Sequence, residues 1–73
     1  MYACILIRAV DGRVAKVLES VKGIKGVVKA FSVYGRYDIV AFAEAPDFDS
    51  VAGISREINA VKGVKSTETA VEA

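Results

Sequence analysis

The run from Tyr2 to Val10 is apolar at every position except Arg8. It is far short of the roughly 20 residues that cross a bilayer. Its length and its isoleucines read as a strand rather than a helix. Side chains alternate along a strand, so Tyr2, Cys4 and Leu6 fall on one side and Ala3, Ile5 and Ile7 on the other. Neither row is polar. Whatever fold the chain adopts must cover this strand on both faces.

Size sharpens that demand. The 73 residues make one domain, and 53% of them are hydrophobic. A chain this short buries only about 60% of its unfolded surface, so its apolar content has an outlet in self-association. Ten basic and nine acidic residues give a net charge of +1, which argues against a dedicated nucleic-acid or membrane-surface binder. Cys4 is the one cysteine and histidine is absent. That excludes an internal disulfide and a CxxC metal or redox motif. The N-terminal run lacks the form of a signal peptide, and the expected location is the cytoplasm.

Along the rest of the chain the periods alternate. Asp11 is the expected cap of a helix whose inner stripe is Val14, Val17, Leu18 and Val21. Gly23 stands where a left-handed helix end belongs. Gly26–Tyr34 reads as a second strand, with Val27, Lys29, Phe31 and Val33 sharing a face. Gly35-Arg36 suits a two-residue type II′ turn, because the first central residue needs positive φ. Tyr37–Glu44 then forms a third strand, with Tyr37, Ile39, Ala41 and Ala43 on one face. Pro46 stops it, and Asp47 caps a second helix with Asp49 in its first turn. Phe48, Val51, Ile54, Ile58 and Val61 form that helix's stripe. Gly53 inside it costs up to about 1 kcal/mol against alanine. Val64–Val71 is a final, Thr- and Lys-bearing strand of edge type.

Val21-Lys22-Gly23-Ile24-Lys25 recurs as Val61-Lys62-Gly63-Val64-Lys65. The echo divides the chain into two βαβ halves. Right-handed crossovers then give an α+β, ferredoxin-like βαββαβ sandwich. Its antiparallel four-stranded sheet has the order 4-1-3-2, with two helices on one face. The other face is left bare and apolar, a surface that monomers rarely tolerate, so it is the expected homodimer interface. Alternation leaves open which row of the first strand points to the helices.

Candidate chemistry is sparse. Cys4 in a strand acts as a small hydrophobe, with no histidine to activate it. Asp47 and Asp49 are explained by capping and are too few for a calcium site, so no metal is expected. Arg8, the one charge in the first strand, suits a solvated strand-end side chain or an interface ion pair better than an anchor for an anion. Thr67 and Thr69 share a face of the last strand. Tyr37 lies where RNA-recognition motifs of this topology carry stacking aromatics, but the aromatic spacing fails and Asp38 adds the wrong charge. No acid–base pair is evident, so neither catalytic residues nor cofactors are expected.

One combination is more specific. Tyr34-Gly35-Arg36-Tyr37-Asp38, then an apolar strand, a helix ending Val61-Lys62-Gly63-Val64, and Ser66-Thr67-x-Thr69 resembles the effector-binding C-terminal domain of Lrp/AsnC-type transcriptional regulators, the RAM domain. The resemblance spans essentially the whole chain, so residues 1–73 are expected to form a single RAM-like domain. Those regulators carry an N-terminal helix-turn-helix. Here Met1 leads straight into the first strand, and the expectation is a stand-alone domain that does not bind DNA or RNA itself. The resemblance implies dimers through the sheet faces, ring-like assemblies of dimers, and a free amino acid as effector. Tyr34, Gly35, Tyr37 and Asp38 on the hairpin, with Thr67 and Thr69, would be the ligand-binding residues. A full-length Lrp/AsnC-type regulator is a candidate partner. Two other classes remain open: a small enzyme of the dimeric α/β-barrel type, and a purely structural oligomerisation module.

Overall fold

Burial decides which row of the first strand faces inward. The structure, a computed structural model, describes residues 1–73. In β1 (Tyr2–Ala9) the residues Ala3, Ile5, Ile7 and Ala9 are buried, while Tyr2, Cys4, Leu6 and Arg8 lie on the opposite face. The inward row packs beneath α1 (Val14–Lys22) and α2 (Phe48–Asn59). β2 (Val27–Ser32), β3 (Ile39–Glu44) and β4 (Val64–Val71) complete an antiparallel sheet in the order β2-β3-β1-β4. This is the expected βαββαβ order. No helix is long and apolar enough to cross a membrane.

The register fixes the faces. Ile5 lies opposite Ala41 on β3 and Thr69 on β4, and Ile7 lies opposite Ile39 and Thr67. Cys4 opposes Phe42, and Leu6 opposes Val40. Ile5, Ile7, Ile39, Ala41 and Ala43 are wholly buried with Val17, Val21 and Ile58 of the helices. Fully burying one of these isoleucines or valines is worth about 1.5–3 kcal/mol.

Five local expectations are corrected. The first helix is not capped by Asp11: Asp11-Gly12 makes a turn with Gly12 at φ +81°, and Arg13 takes the N-cap position without a side-chain hydrogen bond. Gly23 ends α1 at φ −84°, an ordinary right-handed value. The left-handed residues that follow the two helices are Gly26 and Gly63, each at φ +99°. The structural echo is therefore Ile24-Lys25-Gly26-Val27 with Val61-Lys62-Gly63-Val64, three residues out of step with the sequence echo in the first half. Matching bonds prove it: the Val27 and Val64 amides each donate to the carbonyl three residues back, at 3.1 Å.

On β2 the register shifts between Val27 and Lys29. This bulge puts Val27 against the core, whereas Lys29 and Phe31 stay on the outer face. A bulge adds one residue to one strand and so breaks strict alternation. Phe48, expected in the α2 stripe, is 59% exposed at the helix start. The fifth correction, the hairpin, belongs to the site below. Gly53 has no crowding to explain it, since a Cβ there would meet only Arg56 Nη2 at 3.9 Å.

The second helix begins as expected. Asp47 accepts the Ser50 amide at 2.8 Å, with Asp49 in the first turn. The Ser50 amide holds the Asp47 carboxyl below the usual aspartate value. A lowered folded-state pKa contributes stability that is complete above the unfolded value, near 3.9, and is lost as pH falls through the folded one. An acid titration of unfolding should thus show a steeper loss below about pH 4 in the parent than in Asp47→Ala.

Gly26 carries the second prediction. Its backbone is left-handed, and a Cβ would overlap the side chain of Ile54 in the core. Gly26→Ala should destabilise the fold by about 1–3 kcal/mol, read as a lowered midpoint in chemical denaturation.

Candidate functional site

The chain does not make a two-residue hairpin at Gly35-Arg36. β2 stops at Ser32 and β3 starts at Ile39. The last rung is Val33 N–H to the Asp38 carbonyl at 2.9 Å, which leaves Tyr34–Tyr37 as the loop. Gly35 has positive φ, as expected, at +126°.

Asp38 explains why the loop closes there. Its N–H donates to the Ile7 carbonyl at 2.9 Å. Its carboxylate Oδ2 accepts the Ala9 N–H at 2.8 Å. The side chain thereby replaces a ladder acceptor that β3 would have supplied had it run longer. A buried amide left without an acceptor is expensive, so Asp38 ties three strands together at the end of the sheet. Its other oxygen accepts nothing within the chain, and neither do the Gly35, Arg36 and Tyr37 N–H groups find an acceptor there.

Tyr37 leaves the face it was expected to share with Ile39. Because the strand begins two residues later, its side chain swings to the outer sheet face. There the Arg8 guanidinium stands 5.5 Å from the ring centroid. The Tyr37 hydroxyl donates to Glu68 Oε2 at 3.2 Å, and Arg8 Nε donates to the Arg36 carbonyl at 3.1 Å. Tyr34 is fully exposed at the loop tip.

Thr67 and Thr69 do share a face, but it is the helix face. Thr69 meets the Ser55 hydroxyl at 3.1 Å, and Thr67 donates to Asn59 Oδ1 at 3.1 Å. Asn59 Nδ2 in turn donates to the Ser55 carbonyl. Beside this polar seam lies an open groove of about 360 Å³ that includes Phe48, Ala52, Ser55, Arg56 and Thr69. Within one chain, then, the six expected ligand-binding residues form two groups. Tyr34, Gly35, Tyr37 and Asp38 gather at the hairpin end. Thr67 and Thr69 lie under α2, across the sheet from Tyr37. Ser55, Asn59 and Glu68 were not singled out in the sequence. The i, i+4 spacing of Ser55 and Asn59 signals a shared helix face, but only the register reveals that β4 threonines meet it.

The hairpin offers unpaired main-chain donors beside a carboxylate with a spare oxygen, a combination that suits a small zwitterion. No three His, Cys, Asp or Glu side chains cluster as metal ligands would. The structural role of Asp38 is separable from any binding role. Asp38→Ala should cost about 1–3 kcal/mol by orphaning the Ala9 amide, and Asp38→Asn, which keeps an acceptor, distinctly less. Urea denaturation of both variants measures the difference.

Residues 2–72 match the family model described as the Lrp/AsnC ligand binding domain. None of the curated protein sequences compared with the chain matches it. Among solved structures, TTHA0845 from Thermus thermophilus is 32% identical, with a TM-score of 0.89 over 99% of this chain and 94% of that one. FFRP-DM1 is 25% identical, with a TM-score of 0.90 over 99% and 97%. E. coli AsnC superposes with a TM-score of 0.85 at 20% identity, over 94% of this chain and 48% of its own. At that identity the last likeness speaks for the fold alone.

Proposed function

This chain belongs to the Lrp/AsnC ligand-binding domain family, and from that premise we propose that it binds a free amino acid and couples the binding to assembly in transcriptional regulation. The observation that carries the reading is the family match over residues 2–72. The site geometry supports it in detail. An α-carboxylate would take the unpaired Gly35, Arg36 and Tyr37 amides, where Gly35 leaves the backbone open because a Cβ there would touch nothing within 4 Å. An α-ammonium would take the free oxygen of Asp38, a charge-assisted bond worth about 1.5–3 kcal/mol. Tyr34 and Tyr37 flank that position. Thr67 and Thr69 lie on the other face of the same sheet, so in this reading they act from a neighbouring copy, and binding stabilises the assembly.

The outer sheet face sets the first step of that assembly. Tyr2, Cys4, Leu6, Val40 and Phe42 form an apolar surface that no element of the chain covers. A second copy laid on it would bury a core-like interface. We place no DNA-reading or catalytic role on this chain, whose ten basic and nine acidic residues nearly balance. A full-length regulator of the same family is the fitting partner for co-assembly.

Isothermal calorimetry against the twenty amino acids tests the reading. One of them should bind below millimolar, and Asp38→Asn should weaken it about ten- to a hundredfold while keeping its fold. Equal affinity in Asp38→Asn would remove the carboxylate from the site. Absence of any amino-acid binding would leave a structural module.

A further inference from the structure

The Tyr34–Tyr37 loop leaves the ladder after the rung between Val33 and Asp38, yet side chains from two other strands tie it down. The Arg36 carbonyl accepts a hydrogen bond from Arg8 Nε at 3.1 Å. The Arg8 guanidinium stands 5.5 Å from the centroid of the Tyr37 ring. The Tyr37 hydroxyl donates to Glu68 Oε2 at 3.2 Å. Arg8 belongs to β1 and Glu68 to β4, and β1 lies between β3 and β4 in the sheet. From the head of β3, the Tyr37 side chain therefore crosses over β1 to reach β4, a span of about 10 Å at the usual strand spacing. Arg8 and Tyr37 are both half-buried. The loop is thus held at its base by Asp38, at its main chain by Arg8 and at the end of its tyrosine by Glu68.

These contacts act on the part of the loop that carries free donors. A trans peptide is planar, with its C=O and N–H pointing in opposite directions, and no peptide bond in the chain is cis. Fixing the Arg36 carbonyl against Arg8 therefore also fixes the Tyr37 N–H, which points away from Arg8. That N–H finds no acceptor in the chain, whereas the next one along, of Asp38, is already given to the Ile7 carbonyl. A loop peptide bonded at neither end can rotate, and a donor that must first be ordered binds more weakly than one already in place.

Resting on the amino-acid-binding reading above, we propose that Arg8 is a positioning residue for the candidate ligand site: with Tyr37 and Glu68 it clamps the loop and aims the Tyr37 amide at the ligand's α-carboxylate, without touching the ligand itself. The role requires a donor at Nε rather than a positive charge. It puts one residue of β1 and one of β4 in control of a loop that neither adjoins in sequence. A charge that attracted the carboxylate through space would have the opposite requirement, needing the cation and not the hydrogen bond.

Two substitutions separate the donor from the charge. Glutamine carries its Nε2 donor at the same position along the side chain as arginine carries Nε, so Arg8→Gln keeps the bond and removes the charge. Arg8→Met removes both. With the amino acid that binds the parent in calorimetry, Arg8→Met should bind about tenfold more weakly, the loss of one ordered donor, and Arg8→Gln should stay within about threefold of the parent. In amide nitrogen–proton NMR spectra without ligand, the Tyr37 signal should shift and broaden in Arg8→Met and in Glu68→Ala. The Ala9 and Asp38 signals should stay in place in both, since their bonds are untouched and the fold is intact. An Arg8→Met form that binds as tightly as the parent, or an Arg8→Gln form as weak as Arg8→Met, overturns the positioning role. A Tyr37 signal unmoved in both Arg8→Met and Glu68→Ala overturns the clamp. If no amino acid binds the parent, the ligand reading is what fails, and the spectra still decide whether the clamp holds the loop.

Discussion

Two neighbouring strands that are apolar on both faces dominate this molecule. β1 and β3 lie side by side in the sheet centre. Their inward rows, Ala3, Ile5 and Ile7 with Ile39, Ala41 and Ala43, are sealed by two amphipathic helices. A single layer of helices can cover a single face. The outward rows are left over, and a small chain has no further element to spend on them. The same pair that builds the core therefore leaves an apolar outer face that no element of the chain covers.

The candidate site sits where this pair runs out. At the hairpin end β3 begins too late to continue the ladder, and the Asp38 carboxylate takes the Ala9 amide in its place. That substitution frees the Tyr34–Tyr37 loop from the sheet and leaves its amides without partners. It also turns Tyr37 out to meet Arg8 and Glu68. One side chain thus closes the sheet and opens a donor-rich loop beside a carboxylate oxygen. Unpaired polar groups of this kind persist at surfaces because water satisfies them, and a ligand can replace that water.

The polar seam between α2 and β4 has a different logic. Ser55, Asn59, Thr67 and Thr69 are joined to one another by hydrogen bonds rather than by apolar contact. The seam borders the groove that holds Arg56 and Phe48. Hydroxyls already paired within the chain can still accept a further hydrogen bond. Their separation from the hairpin by the thickness of the sheet means that any ligand contacting both groups must lie between copies.

The sequence by itself determined the strand and helix order, the sheet topology, the cap at Asp47 and the family. Each rests on periodicity or on a short contiguous motif, and local sterics and hydrogen bonding act on neighbours in the chain. Tertiary structure alone decided which row of β1 faces inward, that Val27 turns to the core at a bulge, that the left-handed residue after α1 is Gly26 rather than Gly23, and that Asp38 bonds β1. Alternation is symmetric: a strand apolar on both sides carries no mark of its inner face until helices claim one. A glycine shows that a positive φ is permitted, and only the path of the chain into the next strand shows where it is used. A carboxylate near a turn has many possible partners, and its choice of the Ala9 amide follows from where two strands, far apart in sequence, happen to end.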